Sequence, residues 1–204
     1  EARRIGDALL GAYAAATVGR ALAVVGRYAD AVSELIPPIV ALPKARAQDR
    51  AGLPFVPSVF ARCQLGAALI ELGRFGEALR HVDDALTIAR TVDEADALFW
   101  AWYSIGRISV ARGMLSEAID PLERAREIAS AHNFPVYYRM TNPPLAHARV
   151  VTGAPGHGLP ALRAAANGCR EKYQTRNLTP ALLNLAEGAV FAGDAPEARA
   201  ASAE

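Results

Sequence analysis

One stretch decides the fold of this chain: Leu65-Gly66-Ala67-Ala68-Leu69-Ile70-Glu71-Leu72-Gly73-Arg74-Phe75-Gly76-Glu77-Ala78-Leu79. Its spacing recurs, because glycines stand at positions 73, 113, 153 and 193, always 40 residues apart. Eight residues before each of these glycines stands a leucine or isoleucine, which a glycine or alanine follows directly. Five residues after each glycine stands another alanine or glycine. A fixed period of this kind indicates a repeat array, and it outranks local propensity.

Each repeat has the pattern of a helical hairpin. On both sides of Gly73, apolar residues recur three and four positions apart, as on one face of an α-helix. Gly73 itself suits the position after the first helix, where a left-handed backbone costs glycine nothing. Gly66 and Ala78 are small, which lets two helix axes cross closely. The sequence therefore predicts an all-α fold.

The repeats predict five hairpins in one domain, residues 1–204, wound into a right-handed superhelical solenoid. The predicted repeats cover approximately residues 3–42, 57–92, 93–132, 133–173 and 175–204. The first repeat keeps the pattern at Val18, Gly19 and Gly26, but its glycine stands 47 residues before Gly73. Several prolines punctuate the intervening segment, which predicts a loop over residues 37–57 with at most a short helical turn.

Two later repeats depart from the pattern. Pro143 and Pro144 stand where the first helix of the fourth repeat should be under way, so that helix is expected to start near Pro144 or to kink there. The fifth repeat is expected to begin near Thr179-Pro180. Only residues 195–204 remain for its second helix, which predicts a truncated or frayed end of the array.

Composition excludes several classes of protein. The chain is 52% hydrophobic with a net charge of +1 and no run of like charge, so it has material for a core and no footprint for direct nucleic-acid binding. No apolar run reaches the length of a membrane helix. The chain begins with Glu1 and has no signal-peptide pattern, so we expect an excised fragment of a cytoplasmic protein. Cys63 and Cys169 fall in different repeats, which predicts free thiols in a reducing compartment.

The third repeat resembles the tetratricopeptide repeat. The residues that carry this resemblance are Trp102, Ile105-Gly106, Gly113, Leu115, Ala118, Leu122 and Ala125. Arg62, Asn142 and Leu182 replace the tryptophan in the second, fourth and fifth repeats. The period exceeds the roughly 34 residues of that repeat and lies in the armadillo range. The turn Gly-Arg-Phe-Gly-Glu-Ala at residues 73–78 favours the tetratricopeptide interpretation.

Arrays of such long repeats resemble the carboxy-terminal halves of large bacterial signalling proteins. One group is the ATPase-coupled adenylate or guanylate cyclase-like proteins, and another is the LuxR-type transcription activators. The segment from Gly52 to Gly73 is especially similar to the first group. The resemblance implies a sensor or scaffold arm with the chemistry elsewhere, and an upstream ATPase module of the same chain as one partner.

The sequence offers no catalytic, cofactor or metal site. The histidines at positions 81, 132, 147 and 157 never stand four residues apart with a carboxylate alongside, as a helical metal pair would. The glycine-rich run 153–158 lies at a repeat turn and lacks the Lys-Ser/Thr ending of a phosphate-binding loop. We therefore predict no cofactor, no metal and no enzyme activity.

The resemblance also implies where a ligand binds, because the first helices of successive tetratricopeptide repeats line a concave groove. Carried over by register, the groove candidates are Tyr13, Arg20, Gln64, Trp100, Tyr103, Arg107, His147, Asn184 and Glu187. The same register also gives Thr17, Phe60, Cys63, Ser104 and Met140. Aromatic and arginine side chains form interface hot spots, which favours the set in the third repeat. Trp100 and Tyr103 have an equally good alternative role in packing between neighbouring helices.

Two functions remain open on the sequence. The first is a non-catalytic scaffold that binds a protein or peptide in the groove. The alternative is an effector-sensing arm of a larger ATPase-linked signalling protein. A scaffold should present an open, charged groove, whereas an effector site should be a closed, apolar pocket with a few polar anchors. The ligand and the oligomeric state are left open.

Overall fold

The computed structural model describes residues 8–153, 155–171 and 175–204. These residues form ten α-helices and no strand, which confirms the all-α prediction. We label the helices α1 (Ala8–Val24), α2 (Tyr28–Ala41), α3 (Pro57–Glu71), α4 (Phe75–Val92), α5 (Ala95–Ala111), α6 (Leu115–Ala131), α7 (Pro135–Val151), α8 (Pro155–Glu171), α9 (Thr175–Phe191) and α10 (Ala195–Ala203). Four consecutive pairs pack together as predicted hairpins: α1 with α2, α3 with α4, α7 with α8, and α9 with α10. The helices α5 and α6 follow one another in the third predicted repeat. The predicted start of the first repeat near residue 3 and the end of the fourth at residue 173 lie outside the described residues.

The repeated glycine ends the first helix of every hairpin. At all five positions φ is positive, between 70° and 106°: Gly26, Gly73, Gly113, Gly153 and Gly193. At the end of α3, the Arg74 N–H donates to the carbonyl oxygen of Leu69, and the Gly73 N–H donates to that of Ile70, both at 2.9 Å. This bonding satisfies carbonyl groups that a helix end otherwise leaves free. The turn predicted from the 40-residue spacing is therefore present.

Gly66 lies where α3 and α4 cross. A Cβ atom added there would lie 2.7 Å from Cγ2 of Val82 and 3.8 Å from the carbonyl oxygen of Ala78. Because the first of these distances is shorter than carbon atoms tolerate, only glycine permits this separation of the helices. The predicted close approach at Gly66 and Ala78 is confirmed.

The loop after the first hairpin is shorter than predicted. α2 continues through Pro37 and Pro38 to Ala41, so the connection to α3 spans residues 42–56 and contains one 3-10 turn, Lys44–Arg46. Proline removes a helical donor, yet its fixed φ is compatible with a helix. Leu35 and Ile39 are buried on both sides of the prolines, and their packing holds the helix together.

The predicted late start of α7 is also wrong, because buried side chains again hold the helix together through its prolines. The helix begins at Pro135, a favourable first position, and passes through Pro143 and Pro144. Thr141 and Leu145 are buried beside the prolines, and the Thr141 hydroxyl donates to the carbonyl oxygen of Tyr138 at 2.8 Å. Likewise, α9 begins at Thr175, ahead of the start expected near Thr179-Pro180. Burial outweighs the local cost of proline in these helices.

The chain forms two compact units, residues 1–111 and 112–204, which meet in sequence at the turn after α5. In the amino-terminal unit, α3 packs against α1 and α5, and α2 and α4 pack against these first helices. In the carboxy-terminal unit, α7 packs against α6, α8 and α9. A single solenoid over the whole chain remains a prediction.

Helix α10 spans nine residues, and side-chain contacts hold it against the preceding hairpin. Nε of Arg163 on α8 donates to Oε1 of Glu197 on α10 at 2.6 Å. Arg170 on α8 similarly pairs with Glu204. The Asp194 side chain caps the helix by accepting a hydrogen bond from the Glu197 N–H at 3.2 Å. These contacts fix α10 against the preceding hairpin.

Candidate functional site

The structure places all nine predicted groove residues on the first helices of hairpins. Six lie in the amino-terminal unit, on α1, α3 and α5: Tyr13, Arg20, Gln64, Trp100, Tyr103 and Arg107. Three lie in the carboxy-terminal unit, on α7 and α9: His147, Asn184 and Glu187. The two groups differ in chemistry, and we describe each within its own unit.

A row of aromatic rings crosses the amino-terminal unit. Ring centroids lie 5.3 Å apart for Tyr13 and Phe55, 5.6 Å for Phe55 and Phe60, 5.7 Å for Phe60 and Trp100, and 6.2 Å for Trp100 and Tyr103. Their planes are tilted or perpendicular, the arrangement that the charge distribution of aromatic rings favours. We call these five side chains the aromatic row. It connects α1, the loop 42–56, α3 and α5.

The aromatic row is held rigidly but remains partly open to solvent. All five members are half-buried, so each keeps part of its surface free. Phe99 is fully buried beneath them and stacks on Tyr103 with a centroid distance of 5.6 Å and an interplanar angle of 10°. Trp100 and Tyr103 therefore do both things that the sequence left open: they pack against neighbouring rings, and they contribute to a surface. Such rigid, half-exposed aromatics lose little entropy on binding.

Arg107 lies beside the Tyr103 end of the aromatic row. Its guanidinium carbon lies 6.0 Å from the centroid of Tyr103, within cation–π range. Nη2 of Arg107 lies 3.7 Å from Oε1 of Glu71 on α3, and both side chains are partly exposed. Because exposed ion pairs contribute at most about 1 kcal/mol, a partner carboxylate can replace Glu71 at low cost.

Phe55 was missed by sequence reasoning. Register transfer covers only helical positions, whereas Phe55 belongs to the loop between α2 and α3. The loop is fixed by the Ser58 hydroxyl, which donates to the carbonyl oxygen of Ala47, and by an ion pair between Arg50 and Glu94. The available signal was an aromatic residue in the proline-rich segment that makes the first repeat spacing 47 residues instead of 40.

Three other register positions in this unit do not belong to the aromatic row. Cys63 is buried, and this burial raises the pKa of its thiol to about 12, against a smaller lowering by its hydrogen bond with Ser104. A thiol in this state is inert, so Cys63 does not line a binding surface. Gln64 is half-buried and Arg20 is exposed, and the described contacts of the aromatic row include neither.

His147 in the carboxy-terminal unit is not available to a ligand. It is buried under α9, with Nε2 at 2.9 Å from Oε2 of Glu187, although neither ring nitrogen makes a well-formed hydrogen bond. The prediction that His147 faces a ligand is therefore wrong, because the first helix of the following hairpin covers it. Asn184 is half-buried, while Glu187 keeps much of its side chain in solvent.

A shallow cleft of about 250 Å³ lies on the carboxy-terminal unit between α6 and α7. Its lining residues are Arg126, Glu127, Ser130 and Tyr138. The cleft is open and lined by side chains that carry polar or charged groups, unlike the enclosed apolar pockets that hold small ligands. Among the described residues, no group of three or more His, Cys, Asp or Glu side chains could hold a metal ion. In the part of the chain that the structure describes, no helix is long and apolar enough to cross a bilayer.

The tetratricopeptide repeat family model matches residues 59–131, from α3 to the end of α6. Residues 59–131 are therefore TPR-like repeats. The match covers most of the second and third predicted repeats. No curated protein matches the sequence at a significant level.

Solved structures share the fold of this chain at low sequence identity. TPR-like repeats attributed to a kinesin light chain of Podosopora anserina are 17% identical, with 93% of this chain and 90% of that chain covered and a TM-score of 0.61. A Signal Transduction ATPase with Numerous Domains from Pyrococcus horikoshii, which has a tetratricopeptide repeat sensor, is 14% identical, with coverages of 94% and 28% and a TM-score of 0.67. A Rap protein complexed with competence and sporulation factor is 16% identical, with coverages of 97% and 63% and a TM-score of 0.71. The fold is therefore that of helical-repeat proteins.

Proposed function

We propose that this chain is a non-catalytic scaffold that binds an extended segment of a protein partner along the aromatic row. The observation that carries this proposal is the continuity of the row: five half-exposed rings, each within 6.2 Å of the next, run from α1 to α5. Aromatic residues with an arginine at one end have the composition of binding hot spots.

The spacing of the rings suits an extended chain. Side chains on one face of a β-like segment recur at about 6.6 Å, since each residue advances about 3.3 Å. The ring centroids are separated by 5.3 to 6.2 Å, so alternate side chains of such a segment can contact successive rings. A polyproline helix would repeat at about 9 Å and would match the rings less well. We therefore expect a segment with apolar residues at alternate positions.

Arg107 adds a charge requirement at one end. Its guanidinium can form two parallel hydrogen bonds with a carboxylate, and it is already oriented by Tyr103 and Glu71. A partner with an aspartate or glutamate after its apolar residues would replace Glu71. Where the domain belongs to a longer chain, an ATPase module of that chain is the first partner to test.

The effector-sensing role is the second candidate, and the likeness to a structure with a tetratricopeptide repeat sensor, which covers 94% of this chain, favours it. The cleft at Tyr138 is open and polar rather than closed and apolar, which gives this role less support. An effector site would leave binding insensitive to the aromatic row.

The test is a selection of random peptides displayed on phage against the 204-residue chain, followed by titration of the enriched peptides. We expect sequences with alternating apolar residues and an acid, whose affinity Trp100→Ala lowers at least tenfold. Val136→Ala, which truncates an exposed apolar side chain of the carboxy-terminal unit, is the control and should leave affinity unchanged. Absence of enriched peptides, or equal binding by both variants, would refute the proposal.

A further inference from the structure

Helix α9 is the first helix of the fifth hairpin. In the described structure, one of its faces is apolar and has no partner. Leu183, Val190 and Phe191 are exposed, and Glu187 lies among them with most of its side chain in solvent. Their spacing places the four residues on one side of the helix. We call them the α9 face.

The equivalent face of α7 is covered. Forty residues earlier, Val150 is 2% exposed, whereas Val190 is 65% exposed. A Cβ atom added at Gly188 would lie only 3.6 Å from Cγ1 of Val150, and Glu187 contacts the buried His147. These contacts show that α9 itself covers α7. The α9 face is thus shaped to receive one more first helix of the same kind.

The first helix of the described residues, α1, has an exposed face of the opposite kind. Val18 on α1 is 47% exposed, whereas its equivalent Leu65 in the second repeat is 0% exposed. Leu145 and Leu185, at the same register in later repeats, are also buried. Ala14 and Ala21 lie on the same side of α1 as Val18 and are exposed as well. We call Ala14, Val18 and Ala21 the α1 face.

Size and charge are complementary between these two faces. The α9 face includes the large side chains of Leu183 and Phe191, whereas the α1 face includes two alanines, Ala14 and Ala21, that leave room for them. Arg20, which is exposed, stands at the same register position in α1 as His147 and Glu187 do in their helices. If α1 packed on α9 as α9 packs on α7, Arg20 would meet Glu187 in the way that Glu187 meets His147.

We propose that the α9 face of one chain binds the α1 face of a second copy, so that the packing of α9 on α7 is repeated between two molecules. The contact is heterologous, because two different surfaces meet, and it leaves one free face at each end of the assembly. Association therefore increases with concentration and does not stop at a dimer. This surface is separate from the aromatic row, so the proposal stands apart from the proposed function.

Sedimentation velocity of the 204-residue chain over a wide concentration range tests this proposal. We expect the mass to rise with concentration. Val190→Glu and Val18→Glu should each be monomeric alone, because each places a charge in an apolar contact. An equimolar mixture of these two variants should form a dimer and nothing larger, since only one complementary pair of faces remains. Val136→Glu changes an exposed valine outside both faces and should associate like the unmodified chain.

The charge pair provides a second, independent readout. Glu187→Arg and Arg20→Glu should each weaken association, and mixing the two variants should restore it in part. A monomeric unmodified chain at every concentration would overturn the proposal. It would also be overturned by Val18→Glu associating as fully as the unmodified chain, which would mean that two α9 faces pair with each other. Circular dichroism confirms that each variant is folded, as expected for changes at exposed positions.

Discussion

The two units of this chain carry different chemistry at equivalent positions of the repeat. Tyr13, Phe60 and Trp100 share one register position in the amino-terminal unit, whereas Met140 and Pro180 occupy it in the carboxy-terminal unit. The first three are joined into a continuous row of rings, with Phe55 inserted between the first two. The repeat pattern thus determines the helices and their crossings, while the residues at the surface positions determine where a partner can bind.

A second register position makes the same distinction. Arg107 in the amino-terminal unit is partly exposed beside Tyr103, whereas His147 in the carboxy-terminal unit is buried beneath α9. Position in the repeat is therefore insufficient to assign a binding role. Burial by the following hairpin has to be known as well.

The largest expected effect is on what the two units share, the helix crossings. Gly66→Leu should lower the free energy of unfolding by about 3 kcal/mol, because its Cβ alone would lie 2.7 Å from Val82. Gly76→Ala is the matched control, since a Cβ atom there meets nothing within 4 Å. It should leave stability unchanged or raise it by up to about 1 kcal/mol, because alanine favours helix. Urea denaturation measures both, and equal stability of the two variants would contradict the proposed crossing.

The next largest effect is a difference between the two units at the register position that Trp100 and Met140 share. Trp100→Ala should weaken binding of a selected peptide by about 2 kcal/mol, roughly 30-fold, whereas Met140→Ala should leave it unchanged. Isothermal titration calorimetry measures the difference. If Met140→Ala weakened binding as much as Trp100→Ala, the site would not be confined to the amino-terminal unit.

A smaller effect is expected at the register position that Arg107 and His147 share. Arg107→Ala should weaken peptide binding by about 1 kcal/mol and change stability by less than about 0.5 kcal/mol. His147→Ala should do the reverse, since it removes a buried side chain and leaves the aromatic row untouched. Thermal melts and titrations of both variants decide the matter. A stability loss in Arg107→Ala without a binding loss would make Arg107 a structural residue.

The smallest expected effect is a difference in labelling rate between the two free thiols, one in each unit. Cys63 is buried with a pKa raised to about 12, so little thiolate exists at neutral pH and the folded protein should not react with Ellman's reagent there. Cys169 is half-buried and should react faster. Mass spectrometry of the labelled protein identifies the modified residue. Rapid labelling of Cys63 in the folded chain would show that α3 is less tightly packed than described.

The repeat pattern predicted the hairpins and turns because every copy carries the same physical requirement. Gly73 and its equivalents need a positive φ, and Gly66 needs to lack a side chain, so both features are visible in the sequence. The helix starts near Pro144 and Thr179 were predicted wrongly, since proline was weighed by its local cost alone. Burial of Leu145 beside the proline pair shows what local reasoning leaves out.

The candidate site could be predicted only in part. Trp100, Tyr103 and Arg107 were placed on the correct helix by register. The contribution of Phe55 depends on how an irregular loop packs on two helices, and the burial of His147 depends on a hairpin 40 residues away. Neither contact has a periodic signal in the sequence.

The most direct test of the binding face is a crystal structure of the 204-residue chain with a selected peptide. We predict an extended segment lying across α1, α3 and α5, with alternate side chains on the aromatic row and a carboxylate at Arg107. A peptide bound in the polar cleft at Arg126 and Tyr138, or on any surface that leaves the aromatic row free, would contradict the account.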